Sequence, residues 1–221
     1  MRILLVCTLF FSIILNSQNS DDEFNDRKID SSEVEVFQKT AIFTLGVFQP
    51  IINDDSNIGK GANGNLSFKL GGQLFVYKRF FVGGFFNSTY LDITDISFTG
   101  KYKRSYVTTS YLQFGYEFSV SKKLSFAASI APIGYADYRN YIKKNRVNQQ
   151  HDSAKVLIYE TYLSYDVSDR FSIFIDYSYR TDTTNIRTAP EIQSNFSKIK
   201  YHNFGIGLKF TINNGNFFSN L

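Results

Sequence analysis

The residues of this chain that carry chemistry are spaced for packing rather than for catalysis. His151, Asp152 and Ser153 supply the three residue types of a hydrolase triad. Adjacent side chains cannot all converge on one another's functional atoms, and triad members come from separated segments. They are read as loop residues. His202 stands beside Tyr201 with no Ser or acid placed to complete a catalytic set, and it reads as an interfacial residue. Gly59, Gly61 and Gly64 read as flexible loop glycines, because the strand and helix that flank a phosphate cradle are missing. No P-loop, dinucleotide fingerprint, zincin motif or nucleophile elbow is present. The expectation is a non-enzyme with no catalytic residue, no metal site and no cofactor.

A second set of charged residues stands inside alternating apolar runs. Lys69, Glu117, Glu160, Asp176 and Arg180 each occupy the wet position of such a run and are assigned to the inner face of a closed sheet. Opposite charges there can pair across the interior. A further group of basic residues falls between two alternating runs: Arg139, Lys143, Lys144 and Arg146, with Lys155, against Asp137 and Asp152. That segment is read as a long polar loop able to meet anions such as lipopolysaccharide phosphates.

The elements that must position these residues are strands. From residue 40 onward the dominant period is two, as in Leu66, Phe68, Leu70, Gly72, Leu74 and Val76 against Lys69 and Gln73. It recurs in Leu112 to Phe118, Leu157 to Val167, Phe171 to Tyr179 and Phe204 to Phe210. Such spacing puts one face dry and one wet on a strand, not on a helix. Eight strands are expected, over 40–48, 64–77, 80–91, 104–118, 124–135, 155–167, 171–181 and 199–212. The run from Phe80 to Leu91 is apolar on both faces and leaves its own orientation open. The connections alternate. Those at 78–79, 119–123 and 168–170 are tight, whereas 49–63, 92–103, 136–154 and 182–198 are long and polar. The fold class is all-β: an eight-stranded antiparallel up-and-down transmembrane β-barrel over 40–212, with a short tail at 213–221.

The segment before the barrel reads as an export leader. Arg2 precedes an apolar core from Ile3 to Leu15, and Asn16-Ser17 ends it in a small residue. This core is shorter than the ~20 residues of a spanning helix, so 1–17 is assigned as a signal peptide cleaved after Ser17. Residues 18–39 are acid-rich and read as a flexible periplasmic lead-in. The only cysteine, Cys7, falls in the leader, so the exported chain has no thiol chemistry.

Composition agrees with an envelope protein. The 221 residues include 15 Tyr and 23 Phe and no Trp, and rings with a polar tip suit a membrane–water boundary. The net charge of +4 comes without a basic helix or zinc pattern, so nucleic acid is not an expected partner.

The run Asn203, Gly205, Leu208 and Phe210 resembles the C-terminal assembly signal of outer-membrane barrels, although the chain continues past the aromatic to Leu221. Tyr111 to Phe118, a Ser/Lys turn and Leu124 to Phe126 resemble the outer-membrane β-barrel domain family, porin-like in name and related in shape to the OmpA and OmpX barrels. The resemblance covers about 40–212. It implies residence in the outer membrane of a Gram-negative envelope, contact with outer-membrane lipid and lipopolysaccharide, and insertion by the barrel assembly machinery. With an even strand number both termini fall in the periplasm. A structural role, or adhesion and recognition of an unknown extracellular ligand through the loops, is the leading expectation. A lipid- or peptide-modifying barrel enzyme is the first alternative. A secreted lipocalin-like barrel with the opposite inside and outside is the second, because alternation by itself does not say which face is in.

Overall fold

A computed structural model describes residues 39–142 and 149–213. The expected leader, the lead-in up to residue 38, the tail from residue 214, and Lys143, Lys144 and Arg146 lie outside the described residues. Eight strands form the sheet: β1 (Ala41–Ile52), β2 (Ala62–Tyr77), β3 (Phe80–Ile93), β4 (Arg104–Ser119), β5 (Leu124–Tyr141), β6 (Gln149–Ser168), β7 (Phe171–Thr184) and β8 (Lys198–Asn213). Each pairs antiparallel with the next, and β1 closes on β8, so the up-and-down barrel has no open edge. Three one-turn helices, α1 (Asn57–Gly61), α2 (Ile96–Thr99) and α3 (Ser194–Ser197), lie in the long connections.

The side-chain faces follow from the pleat. Outward along β2 stand Leu66, Phe68, Leu70, Leu74 and Val76, each 42–54% exposed, while Lys69 and Gln73 are 5% and 2% exposed on the inside. The ambiguous third strand turns Phe81 and Phe85 inward and Phe80 and Phe86 outward. Glu117, Glu160 and Arg180 are buried inside. A soluble ligand-binding barrel needs the reverse, with its charges in water and its Leu, Ile and Phe around the ligand. A soluble protein also rarely exposes an apolar patch beyond a few hundred square ångströms. The lipocalin-like alternative therefore fails on face assignment.

The outer belt has membrane dimensions. From Leu66 to Val76, at ~3.3 Å per residue and a tilt of about 40°, the apolar stretch rises roughly 25 Å. Rings border it on both sides. At the end with the tight turns, Phe80 packs on Tyr116, Tyr116 on Phe118, and Phe171 on Phe210. Toward the long connections, Tyr90 packs on Tyr106, and Tyr177 and Tyr179 on His202.

Four strands, β1, β5, β6 and β7, run at least three residues further than their sequence suggests. The segment 136–154 was expected to be a loop, yet β5 continues to Tyr141 and β6 starts at Gln149, leaving 142–148 as the connection. The alternation there is polar and lacks the apolar marker. Ala136 and Tyr138 are buried inside while Asp137 and Arg139 face out. Asn140 ties the hairpin by donating to Asp152 at 3.0 Å. Pro50 likewise does not end β1. It lacks an N–H, its pairing with β2 stops at Phe48, and the Gln49 side chain donates instead to the Gly64 carbonyl at 2.7 Å.

Glycines mark two close approaches. Gly46 and Gly207 face each other across the β1–β8 seam. A Cβ on Gly207 would stand 2.3 Å from the Leu45 carbonyl oxygen and 2.7 Å from the Phe174 ring. Gly61, expected to be a flexible loop residue, is a docking point. Its carbonyl accepts from the Thr94 and Asp95 amides at 2.9 and 3.2 Å, which joins the first and second long connections. Replacing Gly207 with Val should destabilise the barrel by about 1–3 kcal/mol through overpacking. Gly84→Ala should be tolerated, because its outward Cβ meets nothing nearer than Leu112 Cδ2 at 3.9 Å. Urea titration of the barrel folded in vesicles checks both.

Candidate functional site: a charged layer inside the barrel

Period two carries Lys69 on β2, Glu160 on β6 and Asp176 on β7 into the lumen. The Lys69 ammonium stands 2.6 Å from Glu160 Oε1 and 2.6 Å from Asp176 Oδ2. β2 lies across the barrel from β6, so these bonds bridge the interior. The Phe85 and Phe174 rings flank the ammonium at 5.3 and 5.9 Å from their centroids. Paired charges in a dry interior are held by mutual attraction and by hydrogen bonds, and each is costly when left alone.

The five inward charges do not form one network. They occupy three levels. Nearest the tight turns, Glu117 accepts from Tyr162 Oη at 2.9 Å and from Lys39 Nζ at 3.4 Å. Lys39 also reaches Asp166 at 3.3 Å. The Lys69 triad forms the middle level. Arg180 belongs to a third level toward the long connections, where it grips Asp182 with two hydrogen bonds of 2.6 and 2.5 Å. Tyr138 donates to the same carboxylate at 2.5 Å and bonds Tyr201 at 2.8 Å, and the guanidinium lies 4.9 Å over the Tyr201 ring. Asp182 lies two residues beyond Arg180, on the same face of a strand that was expected to end at 181.

Lys39, Tyr162 and Lys209 are members the sequence reading missed. Lys39 falls in the segment assigned to a flexible lead-in, with no pattern to mark it. Lys209 sits in the final strand at a wet position and is 2% exposed. Its ammonium lies 2.9 Å from the Tyr162 centroid and 5.4 Å from that of Phe174, a cation held by ring faces. Its inward parity, shared with Asn203 and Gly205, was the available signal.

Apolar clusters pack among these charged levels. Phe85, Leu91, Val107, Tyr111 and Val156 pack toward the long connections, and Ile42, Phe75, Phe81 and Phe174 toward the turns. An eight-stranded barrel is just wide enough for side chains to fill it. The interior is packed with paired charges and apolar side chains together.

The strand-eight motif gains a packing reason. Asn203 points inward and donates to Ser178 Oγ at 3.0 Å. Gly205 pairs with Asp176, and a Cβ there would stand 2.0 Å from Asp176 Oδ1. Leu208 and Phe210 face out. Of the basic group assigned to the third connection, Arg139 is a strand residue bonded to Asp137 at 2.8 Å.

His151, Asp152 and Ser153 are strand residues of β6, not loop residues, and they alternate faces. Their partners are respectively Asp137 at 3.5 Å, Asn140 at 3.0 Å and Asn185 at 3.1 Å. His202 faces outward and bonds Tyr177 Oη through Nδ1 at 2.8 Å. Among the described residues no three His, Cys, Asp or Glu side chains gather as metal ligands.

No protein-family model matches the chain, and no curated protein matches it. Among solved structures it is similar to Neisserial surface protein A, at 8% identity and a TM-score of 0.55, covering 78% of this chain and 97% of that one. It is also similar to Ail, the attachment invasion locus protein of Yersinia pestis, at 15% identity and a TM-score of 0.46, covering 78% and 99%. The outer membrane protein OprG of Pseudomonas aeruginosa matches at 12% and 0.46, covering 78% and 96%. At such identities the likeness is one of fold, the small eight-stranded barrel.

Removing Lys69 leaves two buried carboxylates uncompensated. Lys69→Met should cost about 3–5 kcal/mol of stability. Adding Glu160→Gln and Asp176→Asn should recover most of that loss. Equilibrium unfolding of the single and triple variants tests this. A single variant as stable as the parent would show that the triad bears no weight.

Proposed function

We propose that the chain is an integral outer-membrane barrel without enzymatic activity, serving envelope structure or presenting its loops for adhesion and recognition. The observation that carries this reading is the polarity of the wall. An apolar belt bordered by rings faces out, and paired charges face in, as a spanning barrel requires. In this reading the tight turns and both termini lie in the periplasm and the long connections lie outside. The barrel assembly machinery would insert the chain, with Asn203, Gly205, Leu208 and Phe210 as the signal it reads.

The long connections support a recognition role because three of them are built. Ser56 caps α1 by accepting from the Gly59 amide at 3.1 Å, and Asp95 caps α2 by accepting from the Ser97 amide at 2.8 Å. Lys200 of β8 bonds Asp55 of the first connection at 2.5 Å. This cap leaves Ile96, Phe98 and Ile192 exposed at 57, 39 and 46%. Contact with lipopolysaccharide through Arg139, Lys143, Lys144 and Arg146 belongs to the same proposal, though Arg139 already holds a carboxylate.

Expression with its leader should place the chain in the outer-membrane fraction and give heat-modifiable migration in detergent. Recovery as a soluble monomer contradicts the proposal. Planar-bilayer recordings should show no large, stable conductance, because the lumen is filled.

A further inference from the structure

The second long connection, between β3 and β4, sets an apolar knob among cations. Ile96 and Phe98 of α2 are 57 and 39% exposed. Lys101, Lys103 and Arg104 follow, all exposed, and Lys60 of α1 places its ammonium 5.8 Å from the Phe98 ring centroid. Among the described residues none of these four cations makes an ion pair. The acids beside them are engaged elsewhere. Asp95 accepts from the Ser97 amide and hydroxyl at 2.8 and 2.7 Å, and Asp92 accepts from the Asn65 amide group at 2.9 Å. Among the described residues the other connections are balanced. The first gives Asp55 to Lys200, the β5–β6 hairpin gives Asp137 to Arg139, and the fourth carries Arg187 with Glu191.

The knob is fixed by its surroundings. Beyond the Gly61 carbonyl that holds Thr94 and Asp95, a Cβ on Gly61 would stand 2.7 Å from Thr99 Cγ2, so α2 rests directly on α1. Gly100 ends the turn at a φ of 91°, a value other residues reach only with strain, and donates to the Ile96 carbonyl at 2.9 Å. The Lys103 amide donates to the Tyr141 carbonyl at 2.9 Å, and the Tyr102 hydroxyl donates to Gln150. A partner therefore meets a segment whose backbone is already ordered, which removes part of the cost of binding. The site also stands clear of lipid. β3 runs on from Tyr90 in the ring border to Ile93 before the connection begins, roughly 10 Å along the strand.

We infer that α2 and the segment from Lys101 to Arg104 dock an acidic peptide segment of a partner protein that carries an apolar side chain. The apolar side chain packs on Ile96 and Phe98, and carboxylates around it meet Lys60, Lys101, Lys103 and Arg104. An apolar centre within a charged rim is the anatomy of a protein–protein contact, and the surplus of cations steers an acidic partner to it. A sulfated glycan uses the cations but leaves Ile96 and Phe98 uncovered. The inference rests on the reading that the long connections lie outside, and it gives their recognition role a site and a class of partner.

Selection of random displayed peptides on the full chain in lipid nanodiscs tests this. Enriched peptides should combine Asp or Glu with an apolar residue. Their affinity should fall at least about tenfold for I96S/F98S and for K101Q/K103Q, as for loss of the centre or the rim of a small interface. K143Q/K144Q on the third connection should leave it unchanged. Heat-modifiable migration of every variant establishes that each is folded. Enriched peptides that lack acids, or that bind folded I96S/F98S and K101Q/K103Q as well as the parent, overturn the site. A sulfated oligosaccharide that binds through the lysines and is indifferent to I96S/F98S, with no peptide enriched, overturns the assignment to a peptide. An amine label that does not cross membranes should modify Lys101 and Lys103 on intact cells. Labelling only after lysis overturns the reading that places these connections outside, whatever the peptides do.

Discussion

A backbone N–H or C=O in hydrocarbon needs a partner within the protein, and the rest of this structure follows from meeting that demand by closure. The β1–β8 seam is where closure happens. There Phe43 pairs with Phe210 and Gly46 with Gly207. Closing eight strands fixes a narrow lumen. A narrow lumen in turn limits what stands inside. Rings such as Phe174 fit only because the seam offers glycines opposite, and the Asp176 carboxylate leans toward β8 only because Gly205 has no side chain.

The same closure decides the electrostatics. Charges placed inside cannot reach bulk water along the belt, so most pair with one another and Lys209 rests on ring faces. Lys69 takes two carboxylates, Arg180 takes Asp182 with two tyrosines around it, and Glu117 takes Tyr162 and Lys39. Each level joins different strands across the interior. These bonds act with the backbone ladder to specify which strands face each other.

Much of this was legible in the sequence. Alternation from Leu66 to Val76 or Phe204 to Phe210 gave the strands, the tight turns gave the meander, and the wet positions gave the inward charges. Alternation did not separate a membrane barrel from a soluble one, because both alternate; the leader, the alternating loop lengths and the motif from Asn203 to Phe210 pointed to the membrane. It took the burial of Gln73 and Lys69 beside the exposure of Leu70 and Leu74 to decide. Three features lay beyond the pattern for physical reasons. The β5–β6 hairpin projects past the apolar belt, so its alternation is polar and resembles a loop. Lys39 is placed by a contact to Glu117, 78 positions away. The split of the inward charges into three levels depends on shear between strands, which no single strand encodes.

The central claim is that the outward face of the belt meets lipid and the inward face meets neither lipid nor bulk water. Nitroxide labels on single-cysteine variants along β2, with Cys7 replaced, test it most directly in reconstituted vesicles. At Leu66, Phe68, Leu70, Leu74 and Val76 the labels should be open to oxygen dissolved in the bilayer and shielded from a water-soluble relaxant. At Ser67, Gly71 and Phe75 they should be shielded from both, giving a period of two. Labels at Leu70 and Leu74 that respond to the aqueous relaxant, with no period along the strand, would contradict the account.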